Sequence, residues 1–176
     1  MKVICYGDSN TCGYDPRSFL GSSFPEPWPR LLAAKTGWQV HNAGLNGRQI
    51  PAPGQPYPFA DDTDLLIVML GTNDLLQGST AQATARRMET FLRRLPLPAD
   101  RLVLIAPPPL QPGEWVQPPA QEQAKLLAGE YRRLAARLGL CFADAAGWNI
   151  PLCFDGVHFT EEGHACFAQQ LLQVLR

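Results

Sequence analysis

Nothing in this chain of 176 residues reads as a membrane span. No stretch approaches the roughly 18 uninterrupted apolar residues that a spanning helix needs. The first residues hold one lysine and a very short apolar run, so a signal peptide is not expected. A basic stripe is also lacking. Fifteen Lys and Arg stand against 16 Asp and Glu, for a net charge of -1. That balance argues against nucleic acid as a partner. The five cysteines, Cys5, Cys12, Cys141, Cys153 and Cys166, form no CxxC pair and no zinc spacing. They read instead as small buried hydrophobes in a reducing cytoplasm, and no metal is expected. The first glycine-bearing turn, from Gly7 to Gly13, has neither GxGxxG nor Gly-Lys-Ser/Thr. A flavin- or nucleotide-binding domain would need such a phosphate cradle. There are no internal repeats, no linker and no low-complexity tail, so residues 1–176 read as one domain.

What is present is an alternation of short apolar runs and amphipathic stretches. Residues 2–6 read as a first strand, ended by Gly7-Asp8-Ser9-Asn10. A loop over 15–27 leads to a helix from Pro27 to Lys35, stopped at Gly37, and then to a strand from Trp38 to Ala43. Asn42-Ala43-Gly44-Leu45-Asn46-Gly47-Arg48 follows as a turn whose backbone can approach a ligand closely. A Pro-rich loop covers 51–62. Asp64 to Leu70 is the clearest strand, apolar at every position from Leu65, as a central parallel strand buried on both faces should be. It ends in Gly71-Thr72-Asn73-Asp74. Ser79 is expected to cap the next helix, with Gln82 in the capping-box position and Met88, Phe91, Leu92 and Leu95 on its buried face. A strand over 101–106, a loop over 107–119, a helix over 120–138 and a strand over 140–145 come next. After Asp155-Gly156-Val157-His158, Thr160 is expected to cap a last helix that buries Leu171, Leu172 and Leu175. The order argues for an α/β fold, a parallel sheet with helices on both faces.

On that plan the unusual polar residues fall at the same end of successive strands. Ser9 follows the first strand, Gly47 the second, Asn73 the third, and Asp155 and His158 the fifth. All of them converge on one rim of a parallel sheet, where open α/β folds place their ligand sites. The set has the parts that acyl transfer needs. Ser9 is a candidate nucleophile, His158 a base to take its proton, and Asp155 a carboxylate to fix the imidazole tautomer. The backbone N–H groups of Ser9 and Gly47 and the side-chain amide of Asn73 are candidate donors to an oxyanion. A base must be neutral to act, so activity should rise with pH where histidines ordinarily titrate. Each residue also has a plainer role open to it. Asp155-Gly156 could be only a turn, His158 only a residue leading into the last helix, and Asn73 could simply close its turn. His41 and His164 read as structural, and Asp8 and Asp74 as acceptors that brace the loops.

Four ordered blocks, Gly7-Asp8-Ser9-Asn10, the Gly47 turn, Gly71-Thr72-Asn73-Asp74 and Asp155-Gly156-Val157-His158, resemble those of the SGNH hydrolases, also called GDSL-type esterases. Ala106-Pro107-Pro108-Pro109-Leu110 and His158-Phe159-Thr160 look most like the bacterial arylesterase and acyltransferase branch. The usual fourth residue of the first block is Leu. Asn10 stands there in this chain, a change expected to affect the pocket more than the chemistry.

The resemblance implies a flavodoxin-like three-layer α/β/α sandwich around a five-stranded parallel sheet. It implies Ser9 as nucleophile, His158 as base, Asp155 as orienting acid, and Ser9, Gly47 and Asn73 as the oxyanion hole. It aligns the functional glycine of the second block with Gly47 rather than Gly44. No cofactor is implied. The substrate would be a small acyl ester, with a thioester, a lysophospholipid or an acetylated sugar as alternatives on the same residues. A catalytically inactive small-molecule binder is the competing class. Asn10, Cys12, Tyr14, Trp115 and Val157, with the two Pro-rich loops, are expected to wall the pocket. Relatives of this branch form homo-oligomers through such loops, and this chain could do the same.

Overall fold

The computed structural model describes residues 1–18, 20–56 and 62–175. The part of the 51–62 loop that would complete the expected pocket wall, residues 57–61, lies outside them. Among the described residues five strands are formed: β1 (Lys2–Gly7), β2 (Gln39–Gly44), β3 (Leu65–Met69), β4 (Leu102–Ala106) and β5 (Cys141–Asp144). All pair in parallel, in the order β2-β1-β3-β4-β5. The chain turns one way from β1 to reach β2 and the other way to reach β3. That reversal opens a crevice at the carboxyl ends of β1 and β3, directly under Ser9.

Period-two alternation splits the strands between two cores. Ile4, Tyr6, Leu66, Val68, Leu102 and Leu104 face one side. There they meet α4 (Ala81–Leu92) and α5 (Pro118–Leu138) through Met88, Phe91, Leu127 and Tyr131. Val3, Cys5, Ile67, Met69, Val103 and Ile105 face the other. There α2 (Trp28–Thr36) and α6 (Glu161–Val174) supply Trp28, Leu32, Phe167 and Leu171. The result is the three-layer α/β/α sandwich that the resemblance implied. No helix of the described residues is long and apolar enough to cross a membrane.

Two short helices escaped the sequence reading: α1 (Ser9–Cys12) and α3 (Thr72–Leu76). Each starts where a strand-end turn was expected. Gly44 makes room for α1, because a Cβ there would lie 2.1 Å from the Cys12 backbone nitrogen. The cap of α4 is Thr80, not Ser79. Thr80 Oγ1 accepts the Ala83 N–H at 3.1 Å, while the Ser79 hydroxyl is engaged by Thr84 Oγ1. The box position is therefore Ala83, whose methyl group cannot complete the box. Thr160 does cap α6, accepting the Gly163 N–H at 2.9 Å. Leu171 is fully buried, but Leu172 and Leu175 are only half-buried. All five cysteines are free, and Cys5 alone is fully buried. Cys141, expected inside, is exposed because β5 is an edge strand.

Candidate active site

Ser9 is the first residue of α1, and Asp8 caps that helix by accepting the Asn10 N–H at 3.0 Å. The strand-to-helix turn lifts the Ser9 hydroxyl above the end of β1. His158 Nε2 lies 2.9 Å from it. On the far side of the ring, Nδ1 lies 2.7 Å from Asp155 Oδ2. The other oxygen of Asp155 accepts the backbone N–H groups of Val157 at 2.9 Å and His158 at 3.0 Å. Burial pushes the Asp155 carboxyl up. The His158 ring and these two N–H groups outweigh that and hold it below the usual carboxylate range. An ionised Asp155 fixes the proton on Nδ1, so Nε2 faces Ser9 as an acceptor.

Gly47 sits in a turn closed by the Arg48 N–H on the Leu45 carbonyl at 3.1 Å, with φ of 72° at the glycine. Arg48, which sequence reasoning passed over, ties this turn to the sheet. Its Nη1 donates to the Gly7 carbonyl at 2.8 Å and to the Ala43 carbonyl, and its guanidinium lies 4.3 Å above the Tyr6 ring. Its own carbonyl accepts one N–H of the Asn73 amide at 3.0 Å. The ends of β1, β2 and β3 are thus joined through one residue. A basic residue directly after the Gly47 turn was the available signal. Asp74 braces the same loop from beneath, accepting the Ile50 N–H at 3.1 Å and pairing with Arg87 at 2.7 Å.

Tyr14 and Trp115, expected on the pocket wall, flank the imidazole. Their ring centres lie 4.9 Å and 5.5 Å from that of His158, Trp115 edge-on. Trp115 is carried there by the 107–117 loop, which lies on the Asp155-Gly156 turn. Gly113 permits this approach, since a Cβ there would stand 2.2 Å from the Asp155 carbonyl carbon. Gln111 adds a hydrogen bond to the Gly156 carbonyl at 3.0 Å. Cys12 is half-buried, its sulfur 3.9 Å from Ser23 Oγ. Asn10 and Val157, expected to face the pocket, are 4% and 5% exposed, about as little as Ser9 and His158 at 6% and 5%. A cavity of about 930 Å³ opens beside the Gly47 turn, lined by Gly47, Arg48, Pro51, Pro53, Arg87 and Thr90.

His41 is exposed on β2, and His164 is buried on α6. Burial pushes His164 down to about 4, so it stays neutral. Its Nδ1 accepts the backbone N–H of Trp28 at 3.4 Å. Among the described residues no group of three or more His, Cys, Asp or Glu could hold a metal ion.

Residues 5–166 match the model of the GDSL-like lipase/acylhydrolase family, and the chain belongs to that family. It is a carboxylic ester hydrolase. It is 33% identical over 196 residues to the isoamyl acetate-hydrolyzing esterase 1 homolog of Bos taurus, an alignment covering 93% of this chain and 76% of that protein. Two solved structures share the fold over its whole length. A candidate arylesterase from Agrobacterium tumefaciens is 31% identical, with a TM-score of 0.81 over 100% of this chain and 99% of that one. A carbohydrate acetylesterase family member from Sinorhizobium meliloti is 27% identical, with a TM-score of 0.82 over 100% and 98%.

Proposed function

We propose that residues 1–176 form one hydrolase domain that cleaves small carboxylic esters, acetyl to butyryl, through an acyl-Ser9 intermediate. The observation that carries this reading is the continuous line of short contacts from Ser9 through His158 to Asp155. Ser9 Oγ attacks the ester carbonyl while its proton passes to His158 Nε2. The oxyanion is met by the N–H groups of Ser9 and Gly47 and by the Asn73 amide. Each such donor lowers the barrier by about 2.7–4 kcal/mol. His158 then gives the proton to the leaving alcohol as the C–O bond breaks. Water, deprotonated by His158, attacks the acyl-enzyme and releases the acid and the Ser9 hydroxyl.

The preference for short acyl groups rests on two supports. Tyr14 and Trp115 close in on the imidazole and narrow the wall. Two relatives are named for acetyl esters, one of isoamyl alcohol and one of carbohydrate. These differ in the alcohol but share the acyl group. Turnover of p-nitrophenyl acetate, butyrate and octanoate tests the reading. Acetate and butyrate should be turned over far faster than octanoate, and a preference for octanoate would refute it.

A further inference from the structure

We propose that Asn10 is a positioning residue for the base, holding His158 against Ser9 by two hydrogen bonds that straddle it. The proposal rests on the assignment of Ser9 and His158 as nucleophile and base. Asn10 directly follows Ser9 and is buried. Its Nδ2 donates to the Val157 carbonyl at 3.0 Å, and its Oδ1 accepts the Phe159 N–H at 2.9 Å. These are the backbone groups immediately before and after His158. The carboxamide therefore acts as a strand neighbour would, pairing one donor and one acceptor of a passing segment. It does so across 147 and 149 residues of chain.

The segment's backbone can be accounted for group by group. The N–H groups of Val157 and His158 go to Asp155 Oδ1. The His158 carbonyl accepts the Cys153 N–H at 2.7 Å. The Val157 carbonyl and the Phe159 N–H go to Asn10. Asp155 thus fixes the N-terminal side of the base and the ring tautomer. Asn10 ties the backbone of the segment to the helix that carries the nucleophile. Its own N–H is bonded to Asp8 Oδ1, so the clamp is built on a fixed turn. Both polar ends of Asn10 are thus engaged with the segment that carries His158.

Removing the clamp should let His158 move relative to Ser9 while substrate binding is kept. A displacement of about 1 Å can cost up to about 100-fold in rate. The test uses Asn10→Leu, which keeps the number and branching of side-chain heavy atoms and removes both bonds, and Asn10→Ala, which removes the bonds without crowding. Each is compared with wild type and Ser9→Ala on p-nitrophenyl acetate and ethyl acetate, with thermal melts alongside. A phenolate leaves unaided, whereas an ethoxide needs the proton of His158. Both variants should fold and should lose roughly 10- to 100-fold in kcat with little change in KM. The loss should be several-fold larger on ethyl acetate. Equal losses on both esters, a rise in KM at unchanged kcat, wild-type kcat, or failure of both variants to fold would each overturn the proposal. Activity surviving in Ser9→Ala would remove the underlying assignment, and the proposal with it.

Discussion

The Ser9 hydroxyl stands 2.9 Å from His158 Nε2, although 149 residues separate them in the chain. The parallel sheet makes this meeting possible by delivering the ends of β1 and β5 to the same rim. Local bonds refine it. Asp155 and Asn10 hold His158 and its segment from two sides, and Arg48 locks the turn that carries Gly47 to the ends of β1 and β2.

Asp155→Asn should retain the backbone bonds at Oδ1 but offer an amide N–H to His158 Nδ1. The imidazole would then carry its proton on Nε2, where Ser9 needs an acceptor. The expected loss in kcat is on the order of 10³–10⁴-fold, with the protein still folded. Steady-state kinetics on p-nitrophenyl acetate measures it, and a loss under 10-fold would contradict the role given to Asp155.

The same carboxylate should also show in acid stability. Its value is lowered in the folded protein, so its stabilising effect is present above the ordinary carboxylate range near pH 4. That effect is lost as the pH falls through the lowered value. Melting temperatures of wild type and Asp155→Asn should therefore differ at pH 6 and converge on acidification below pH 4.

Asp8 should behave in the opposite sense. Burial raises its carboxyl to about 6, against the Asn10 N–H and the attraction of His158. The folded state favours its protonated form. Its contribution is complete below about pH 4 and lost as the pH rises through about 6. Asp8→Asn, whose oxygen can still accept the Asn10 N–H, should gain melting temperature over wild type as the pH is raised from 4 to 7. A gap that does not widen across that interval would show that Asp8 is not held in this way.

On the proposed mechanism, Asn73→Ala removes one oxyanion donor and takes the Asn73 amide from the Arg48 carbonyl. A fall in kcat of roughly 100- to 1,000-fold is expected, with KM little changed, because the donor acts on charge that develops only in the transition state. A rise in KM at constant kcat would place Asn73 in ground-state binding instead.

Trp115→Ala should widen the acyl preference. The indole is 47% exposed, so its loss leaves the core intact while opening the wall beside His158. The ratio of octanoate to acetate turnover should rise several-fold, with the melting temperature nearly unchanged. An unchanged ratio would remove Trp115 from the wall.

Strand order, helix layers and the convergence of the polar blocks were legible because each leaves a periodic or punctuating trace. Leu65 to Leu70, apolar at every position, has the pattern expected of a strand buried on both faces. The glycine blocks then marked where strands end. The short helices α1 and α3 left no trace, since four or five residues show no period. The cap of α4 was displaced by one residue because Ser79 and Thr80 carry the same chemistry. The Ala83 N–H on Thr80 and the Thr84 hydroxyl on Ser79 separate them. Arg48 and Asn10 act through backbone groups 41 and about 150 residues away, pairings that no local window contains. The same holds for Cys141, whose exposure depends on β5 being an edge.

The account stands or falls on Ser9. The most direct measurement is p-nitrophenyl acetate turnover by wild type and Ser9→Ala, combined with intact mass and peptide mapping after a serine-directed phosphonate. Wild type should turn over the ester and gain one label, mapped to Ser9. Ser9→Ala should be inactive and unlabelled while keeping its melting temperature. Activity in Ser9→Ala, or a label on another residue, would contradict the mechanism.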